Sequence, residues 1–455
     1  MSRLRAILLP LLFGHAVSAA DLPWFAIKVI DEDTGRGVPL VELETVNHIR
    51  HVTDSHGLIA FHEPGLTGSN VFFHVRSHGY EFPKDGFGYR GKRLRAMPGG
   101  EATLKLKRRN IAERIYRITG GGIYRDSVLL QRSVPVNRPV LNGSVFGQDS
   151  VNAIPYRGRI YWFWGDSNRP SYPLGNFHTS GATSKPPGKG GLDPRTGIDL
   201  EYFVDERGFS KKMAKLPGQG VVWIFGIVVV EDASGRERMV GHYTRMKDLG
   251  TMLEHGLVVF NDERQQFEKL VEFDLANRWA TLKTHPVRHR ESDRDWFLIP
   301  QPLPNLRVPA DLKAVQQQGL YEGYTCLKPG TKFAGKKSEL DRDASGQVVY
   351  GWKRGTQPVG PKEERQLIRH GLLDPAAAHF LPQDAATGTT VVMHFSTVNW
   401  NSYRKKWIMI GVQAGGDASH LGEIWYGESE QPTGPWRSVR KIVTHDRYSF
   451  YNPCH

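Results

Sequence analysis

One unit recurs across residues 119–455, and it limits what the chain can fold into more than any other feature. The unit is a strand opening on polar or aromatic residues, a turn, and an apolar-aromatic strand closing on a polar residue. The first copy runs from Gln148-Asp149-Ser150-Val151 to Tyr156-Arg157-Gly158, then through Ile160-Tyr161-Trp162-Phe163-Trp164-Gly165-Asp166. A second spans Val221–Val230, a turn at Asp232–Gly235, and Met239–Arg245. A third joins His285-Pro286-Val287 to Trp296–Pro300, and a fourth joins Ala376–Leu381 to Val391–Ser396 and Asn399-Trp400-Asn401. A fifth begins at Phe450-Tyr451-Asn452. With Asp149, Trp223, His285, His379 and Asn452 as starts, the intervals are 74, 62, 94 and 73 residues, long enough to require large loop insertions. Repeated small sheets that bury their faces against neighbours predict a β-propeller. A β-sandwich with irregular strands permits the same local pattern. Trp407–Val412 and Gly422–Gly427 read as two further antiparallel strands.

The remainder of the chain sets bounds on this reading. At 455 residues there is room for two or three domains. Apolar residues at 39% and charged residues at 24% exclude wholesale disorder, and 49 glycines with 28 prolines favour many turns between short strands. Only Cys326 and Cys454 are cysteines, which excludes a disulfide-stapled scaffold and a cysteine-rich zinc module. Their pairing stays open. Residues 1–20 read as a secretory signal peptide: Arg3 and Arg5, an apolar run from Ala6 to Phe13, and small residues at Ser18-Ala19-Ala20. Export to the periplasm, cell surface or medium follows as an expectation.

Residues 21–110 predict a small β-sandwich of short strands between turns. Val29-Ile30-Asp31 with Thr34-Gly35 and Val38-Pro39, then Thr53-Asp54 with Gly57 and Phe61, then Gly79-Tyr80, occur in order. These residues resemble the carboxypeptidase regulatory-like domain, a transthyretin-type sandwich, which implies an accessory module. Six histidines (His48, His51, His56, His62, His74 and His78) crowd this stretch without tight ligand spacing, as scattered turn and surface residues do.

Within residues 111–455, Ser429-Glu430-Gln431-Pro432-Thr433-Gly434-Pro435-Trp436 follows a strand ending Trp425-Tyr426. Thr397–Arg404 precedes Lys406-Trp407, and Gln148-Asp149-Ser150 is followed by Trp162-Phe163-Trp164-Gly165-Asp166-Ser167. These segments resemble the five-bladed β-propeller glycoside hydrolases of the arabinanase, xylosidase and furanosidase type. The fold class expected is thus all-β, a sandwich followed by a five-bladed propeller, with the last blade incomplete at His455. The resemblance implies hydrolysis of a polysaccharide or oligosaccharide, with Asp149 at the general base position.

Glycosidic hydrolysis needs two carboxyl groups in different protonation states. Asp149 opens the first inner strand, and Asp166 closes its partner, where a turn aspartate is equally at home. Glu322 lies between glycines and aromatics in Gly319-Leu320-Tyr321-Glu322-Gly323-Tyr324, a setting able to raise the pKa of an acid. Trp164, Tyr324, Trp352, Trp400 and Asn452 are candidate sugar contacts, and Arg245 a candidate for a carboxylate or sulfate, or for an internal ion pair. His285, His379 and His455 stand near strand starts. Three imidazoles there would suit a metal or a lyase base, although uncoordinated histidines fit equally. No cofactor is required, and a divalent cation such as calcium is compatible. Carbohydrate-binding without catalysis and uronate lysis are the alternatives to hydrolysis.

The formal charge is +13. Arg3 and Arg5 supply two of these charges and residues 90–117, with ten bases against two acids, supply eight. The positive charge is therefore concentrated in one stretch, a candidate contact for an anionic glycan or cell surface or simply a solvated strand and linker. No nucleic-acid motif accompanies it.

Overall fold

A computed structural model describes residues 23–447 and 449–455; the signal-peptide expectation at 1–20 lies outside them. Strands dominate, and the fold is all-β. Among the described residues no helix is long and apolar enough to cross a membrane. The chain divides into two compact units: one reaching to Ser77 with Phe82–Lys107 and Tyr124–Ser133, the other comprising His78–Glu81, Arg108–Ile123 and Val134–His455.

In the first unit, Phe25–Asp31 lies between Leu58–Phe61, antiparallel, and Glu101–Arg108, parallel. A second sheet orders Arg50–Val52, Glu42–Thr45, Asn70–Arg76 and Gly91–Arg95. Alternation points Ile27, Val29, Ile59 and Phe61 of one sheet and Leu43, Phe73 and Val75 of the other inward, all buried. Phe61 and Phe73 meet edge to face at 5.1 Å across the two sheets. The same alternation buries Leu104 and Leu106 and leaves Lys105 and Lys107 exposed.

The Thr53-Asp54-x-x-Gly57 segment is a structural turn. Thr53 Oγ1 donates to the Val38 carbonyl at 2.7 Å, and Asp54 Oδ1 accepts from the His56 and Leu58 amides. Gly57 has φ +73°, and a Cβ there would stand 2.4 Å from the Val29 carbonyl oxygen, so only glycine fits. Tyr124–Ser133 also belongs to this unit. Its helix, Arg125–Leu129, brings Asp126 Oδ1 to the Ala60 amide at 2.9 Å, and the Ser127 amide and hydroxyl donate to Asp54 Oδ2 at 2.7 Å each. The histidines here take separate partners, His48 with Glu44 and His56 with Ser127.

The second unit contains four successive antiparallel sheets, blades I to IV. Blade I comprises Asn152–Tyr156, Arg159–Trp164, Ser180–Ser184 and Glu201–Tyr202; blade II comprises Val221–Glu231, Glu237–Met246, Met252–Asn261 and Gln266–Glu272. Blade III comprises Val287–Glu291, Arg294–Pro300, Pro304–Pro309, Glu322–Thr325 and Gly351–Arg354. Blade IV comprises Met393–Asn401, Lys406–Gln413, Glu423–Ser429 and Ser438–Thr444, edged by Gln383–Asp384. Neighbouring blades share apolar cores. Phe163 of I packs with Ile224 and Phe260 of II; Val240 and Leu257 of II pack with Phe297 and Leu306 of III; Leu298 of III packs with Val398 and Trp407 of IV. Face-to-face stacking of small meanders in chain order is the layering of propeller blades.

The structure changes three details of the sequence reading. The fourth repeat's second half, Val391–Ser396 and Asn399–Asn401, is largely one strand, Met393–Asn401. The fifth repeat forms no strand: residues 449–455 run without regular structure. The long intervals are filled by a three-stranded sheet (Gly147–Gln148, Ser167–Arg169, Tyr172–Asn176) inserted within blade I, and by the helix Pro361–Arg369, which packs into a small core with Cys326, Leu340 and Val359.

Candidate active site

Asp149 and Asp166 are brought together by the return of blade I's second strand. The Asp166 amide donates to Asp149 Oδ1 at 2.9 Å, and the Gly165 amide donates to the Asp149 carbonyl at 2.9 Å. Gly165 makes this possible, because a Cβ there would sit 2.3 Å from Asp149 Oδ1. Ser150 turns the chain with φ +51°, a left-handed conformation that costs a non-glycine residue about 1 kcal/mol. Beneath them Gln148 Nε2 donates to Ser167 Oγ (2.9 Å) and Ser180 Oγ (2.7 Å), while Tyr202 donates to Gln148 Oε1 (2.7 Å). A polar network satisfied in this way fixes the register on which the aspartates depend.

The electrostatics of the pair are unequal. Burial pushes both carboxyls above the ordinary carboxylate range, although Asp149 keeps a solvent-facing side. Trp223 Nε1, from blade II, donates to Asp166 Oδ1 at 3.0 Å and favours its ionised form. The charge of Asp166 in turn raises Asp149 further. Among the described residues neither aspartate has an ion pair. Both charges also raise the phenol pKa of Tyr451, after burial, so the C-terminal segment lies within their field.

That segment is held by two further blades. Thr397 Oγ1 and His455 Nδ1 stand 3.0 Å apart, and Asn399 Nδ2 donates to the His455 carbonyl at 2.8 Å. Before blade III, burial pushes the partly buried His285 imidazole down to about 4, and Cys454 Sγ stands 3.8 Å from its Nδ1. Residues 451–455 therefore meet the first strand of blade IV and the segment before blade III, within the field of the blade I aspartates. Both cysteines are free.

The other candidates occupy different settings. Glu322 is clamped by Arg307, whose Nε donates to it at 2.8 Å; Arg307 also pairs with Glu291 and lies over Trp296 (4.0 Å) and Trp352 (4.5 Å). No hydrogen bond or ion pair among the described residues joins Glu322 to the aspartates. The face of Trp352 is thus in use, and Tyr324 packs among Trp352, His379 and Phe380. Arg245 is paired with Glu254 and donates to the Pro217 carbonyl.

Trp164, expected in a sugar cleft, is buried and stacks on Tyr202 at 5.6 Å. Its neighbour Trp162 packs against the same core, stacks on Trp164 at 6.5 Å, and also lines a cavity of about 350 Å³ with Lys185, Pro187 and Ile198. Strand alternation puts both indoles on one face, two residues apart. Trp400 remains half exposed.

The three imidazoles do not form one ligand set. His379 stacks on Tyr350 at 4.3 Å, His455 meets Thr397, and His285 meets Cys454. Among the described residues the three-ligand group with donor atoms within 4.8 Å of one another is His78, His445 and Asp446. A 2.5 Å His78–Asp446 pair and ring stacking at 3.6 Å account for that contact. Sequence reasoning missed Trp223 and Tyr451 as residues of this neighbourhood. Trp223 and Tyr451 already stood at repeat starts, which was the available signal.

No family model matches the sequence, and no curated protein matches it. Among solved structures, a GH43_1 enzyme from Xanthomonas citri complexed with xylotriose is similar at TM-score 0.32 and 10% identity, over 66% of this chain and 75% of that one. An exo-beta-1,3-galactanase from Clostridium thermocellum gives TM-score 0.29 and 10% identity, over 66% of this chain and 51% of that one. The exo-beta-1,3-galactanase from Phanerochaete chrysosporium with galactose gives 0.30 and 9%, over 65% and 51%. This chain thus spans about half the length of the two galactanases. At such scores the likeness carries no argument about activity, which rests on the geometry above.

Proposed function

We propose that the protein is an exported glycoside hydrolase acting on an oligosaccharide or polysaccharide through Asp149 and Asp166. The observation that supports this reading is the Asp149 carboxyl held on the Asp166 amide, both side chains raised by burial, without an ion pair among the described residues and with an indole donor on Asp166. The Trp223 N–H favours charge on Asp166, and that charge retains the proton on Asp149. Asp149 is then the acid that protonates the leaving oxygen, and Asp166 the ionised partner. This reverses the order that the family resemblance implies, in which Asp149 is the base. Trp400 offers an open aromatic face for a sugar ring. The N-terminal sandwich, read as a carboxypeptidase regulatory-like module, and outward bases such as Lys105 and Lys107 would hold the enzyme at an anionic surface.

The test is release of reducing sugar from arabino-, xylo- and galacto-oligosaccharides by the wild type, Asp149→Asn and Asp166→Asn. Loss of turnover in both variants with unchanged thermal unfolding supports the reading. A dinitrophenyl glycoside, whose leaving group needs no protonation, restores turnover to Asp149→Asn alone. Wild-type turnover by Asp149→Asn would sink the assignment. Glycan retardation without any hydrolysis by the wild type would favour a binding protein. Mass spectrometry of secreted protein beginning after Ala20 checks export.

A further inference from the structure

The inserted sheet of blade I carries a second concave site. A cavity of about 570 Å³ lies between Tyr172–Asn176 and the turn Val204–Ser210. Five cations line it: Arg169, Arg207, Lys211, Lys212 and Lys215. Two acids, Asp205 and Glu206, oppose them. Asp205 is committed to its own turn, accepting from the Arg207 amide at 2.9 Å and the Phe209 amide at 3.0 Å. Among the described residues none of the five cations forms an ion pair. Five cations against two acids leave the hollow with an excess of positive charge, which favours an anionic ligand.

A second observation concerns the neutral groups. Asn176 and Ser210 also line the cavity and are 4% and 1% exposed. Asn176 Nδ2 donates to the Ser210 carbonyl at 3.2 Å, which fixes the amide, yet Asn176 Oδ1 has no partner and neither does Ser210 Oγ. A buried acceptor and a buried hydroxyl left unmet cost about 1–3 kcal/mol each unless a ligand answers them. Simple inorganic anions have no donor for Asn176 Oδ1; a sugar hydroxyl does. Phe209 adds an aromatic wall of the kind on which sugar C–H faces rest.

We propose that this cavity binds an acidic sugar residue, carboxylated or sulfated, with its anionic group among the cations and its hydroxyls toward Asn176 and Ser210. The site deepens the hydrolase reading and rests on it only for the purpose of binding: Arg169 stands three residues after Asp166, so a chain held here would extend toward the aspartates. Residues 90–117 play no part, and the acidic preference belongs to the propeller unit.

Isothermal titration of the full chain tests it, with trigalacturonate, a sulfated disaccharide, neutral galactotriose and sodium sulfate as probes. At least one acidic saccharide should bind about tenfold or more tighter than galactotriose at low salt, weakening as salt rises. Its affinity should fall about tenfold in R207A/K211A and stay unchanged in R236A, a cation outside the cavity. Ser210→Ala should weaken the saccharide about threefold and leave sulfate binding unaltered. All four cavity and control positions are assayed at matched unfolding temperature, so misfolding is not mistaken for lost contact. Equal binding of neutral and acidic sugars, indifference to R207A/K211A, or complete displacement by equimolar sulfate (an adventitious ion only) overturns the proposal. D149N separates the two readings: it should abolish turnover and keep this binding. Binding with no wild-type hydrolysis removes the hydrolase reading alone, and hydrolysis with no acidic preference removes this one alone.

Discussion

Two carboxylate sites in the propeller unit show how environment divides residues that look alike in sequence. Glu322 and Asp149 both sit among glycines and aromatics. Arg307, itself stacked between Trp296 and Trp352, holds Glu322 and Glu291 in a charged cluster that needs no proton. Asp149 has a backbone amide, a neighbouring carboxylate and burial, but no cation among the described residues. The first arrangement fixes structure. The second raises the pKa of a carboxyl that no cation among the described residues holds.

The sharpest way to break the contrast is to neutralise each side. Asp149→Asn should lower kcat by about 10²–10⁴ with unfolding temperature nearly unchanged, because it removes an acid and no ion pair. Glu322→Gln should do the reverse: turnover within about twofold, and a stability loss of about 1–3 kcal/mol in denaturant unfolding as Arg307 loses a partner. Equal kinetic losses would erase the distinction.

Glu364 provides a third setting, buried on the helix Pro361–Arg369 without a cation but bonded by Tyr350 and the His379 and Phe380 amides. Burial raises it to about 7, above its unfolded value near 4.5. The folded state therefore holds the proton more tightly: the stability this group contributes is full below about pH 4.5 and is lost as pH rises through 7. The span is at most about 3 kcal/mol. Glu364→Gln should flatten that part of the stability profile between pH 5 and 8, whatever its absolute cost. A smaller shift is expected from Trp223→Phe. Without the indole donor Asp166 titrates higher, and the acid limb of kcat/KM moves upward with it. An unchanged limb would place Asp166 outside the titrating pair.

Much of the blade pattern was legible from alternation and turns. Val221–Val230 with Met239–Arg245, and Ile160–Trp164 after Tyr156, pair as expected because each strand must bury one face against the next sheet. Asp149 and Asp166 were legible as strand ends. What sequence could not supply was partnership across long separations. Arg307 is 15 residues from Glu322 and on the adjacent strand. Trp223 reaches Asp166 from another blade. The cationic cavity joins Arg169 to residues 207–215 through an inserted sheet with no repeat signal. Composition locates the charge density at 90–117 but cannot show which charges elsewhere stay unpaired around a cavity.

The Asp126–Ala60 and Ser127–Asp54 contacts bear on how the sandwich may be cut from the chain. Leu58–Phe61 is an edge strand, and Asp126 covers one of its amides. A fragment ending near residue 110 follows the visible boundary but discards that cover, and leaves Asp54 Oδ2 without its two donors. Such a fragment presents an open strand to its copies and should self-associate, whereas one extended through Ser133 should remain monomeric in sedimentation.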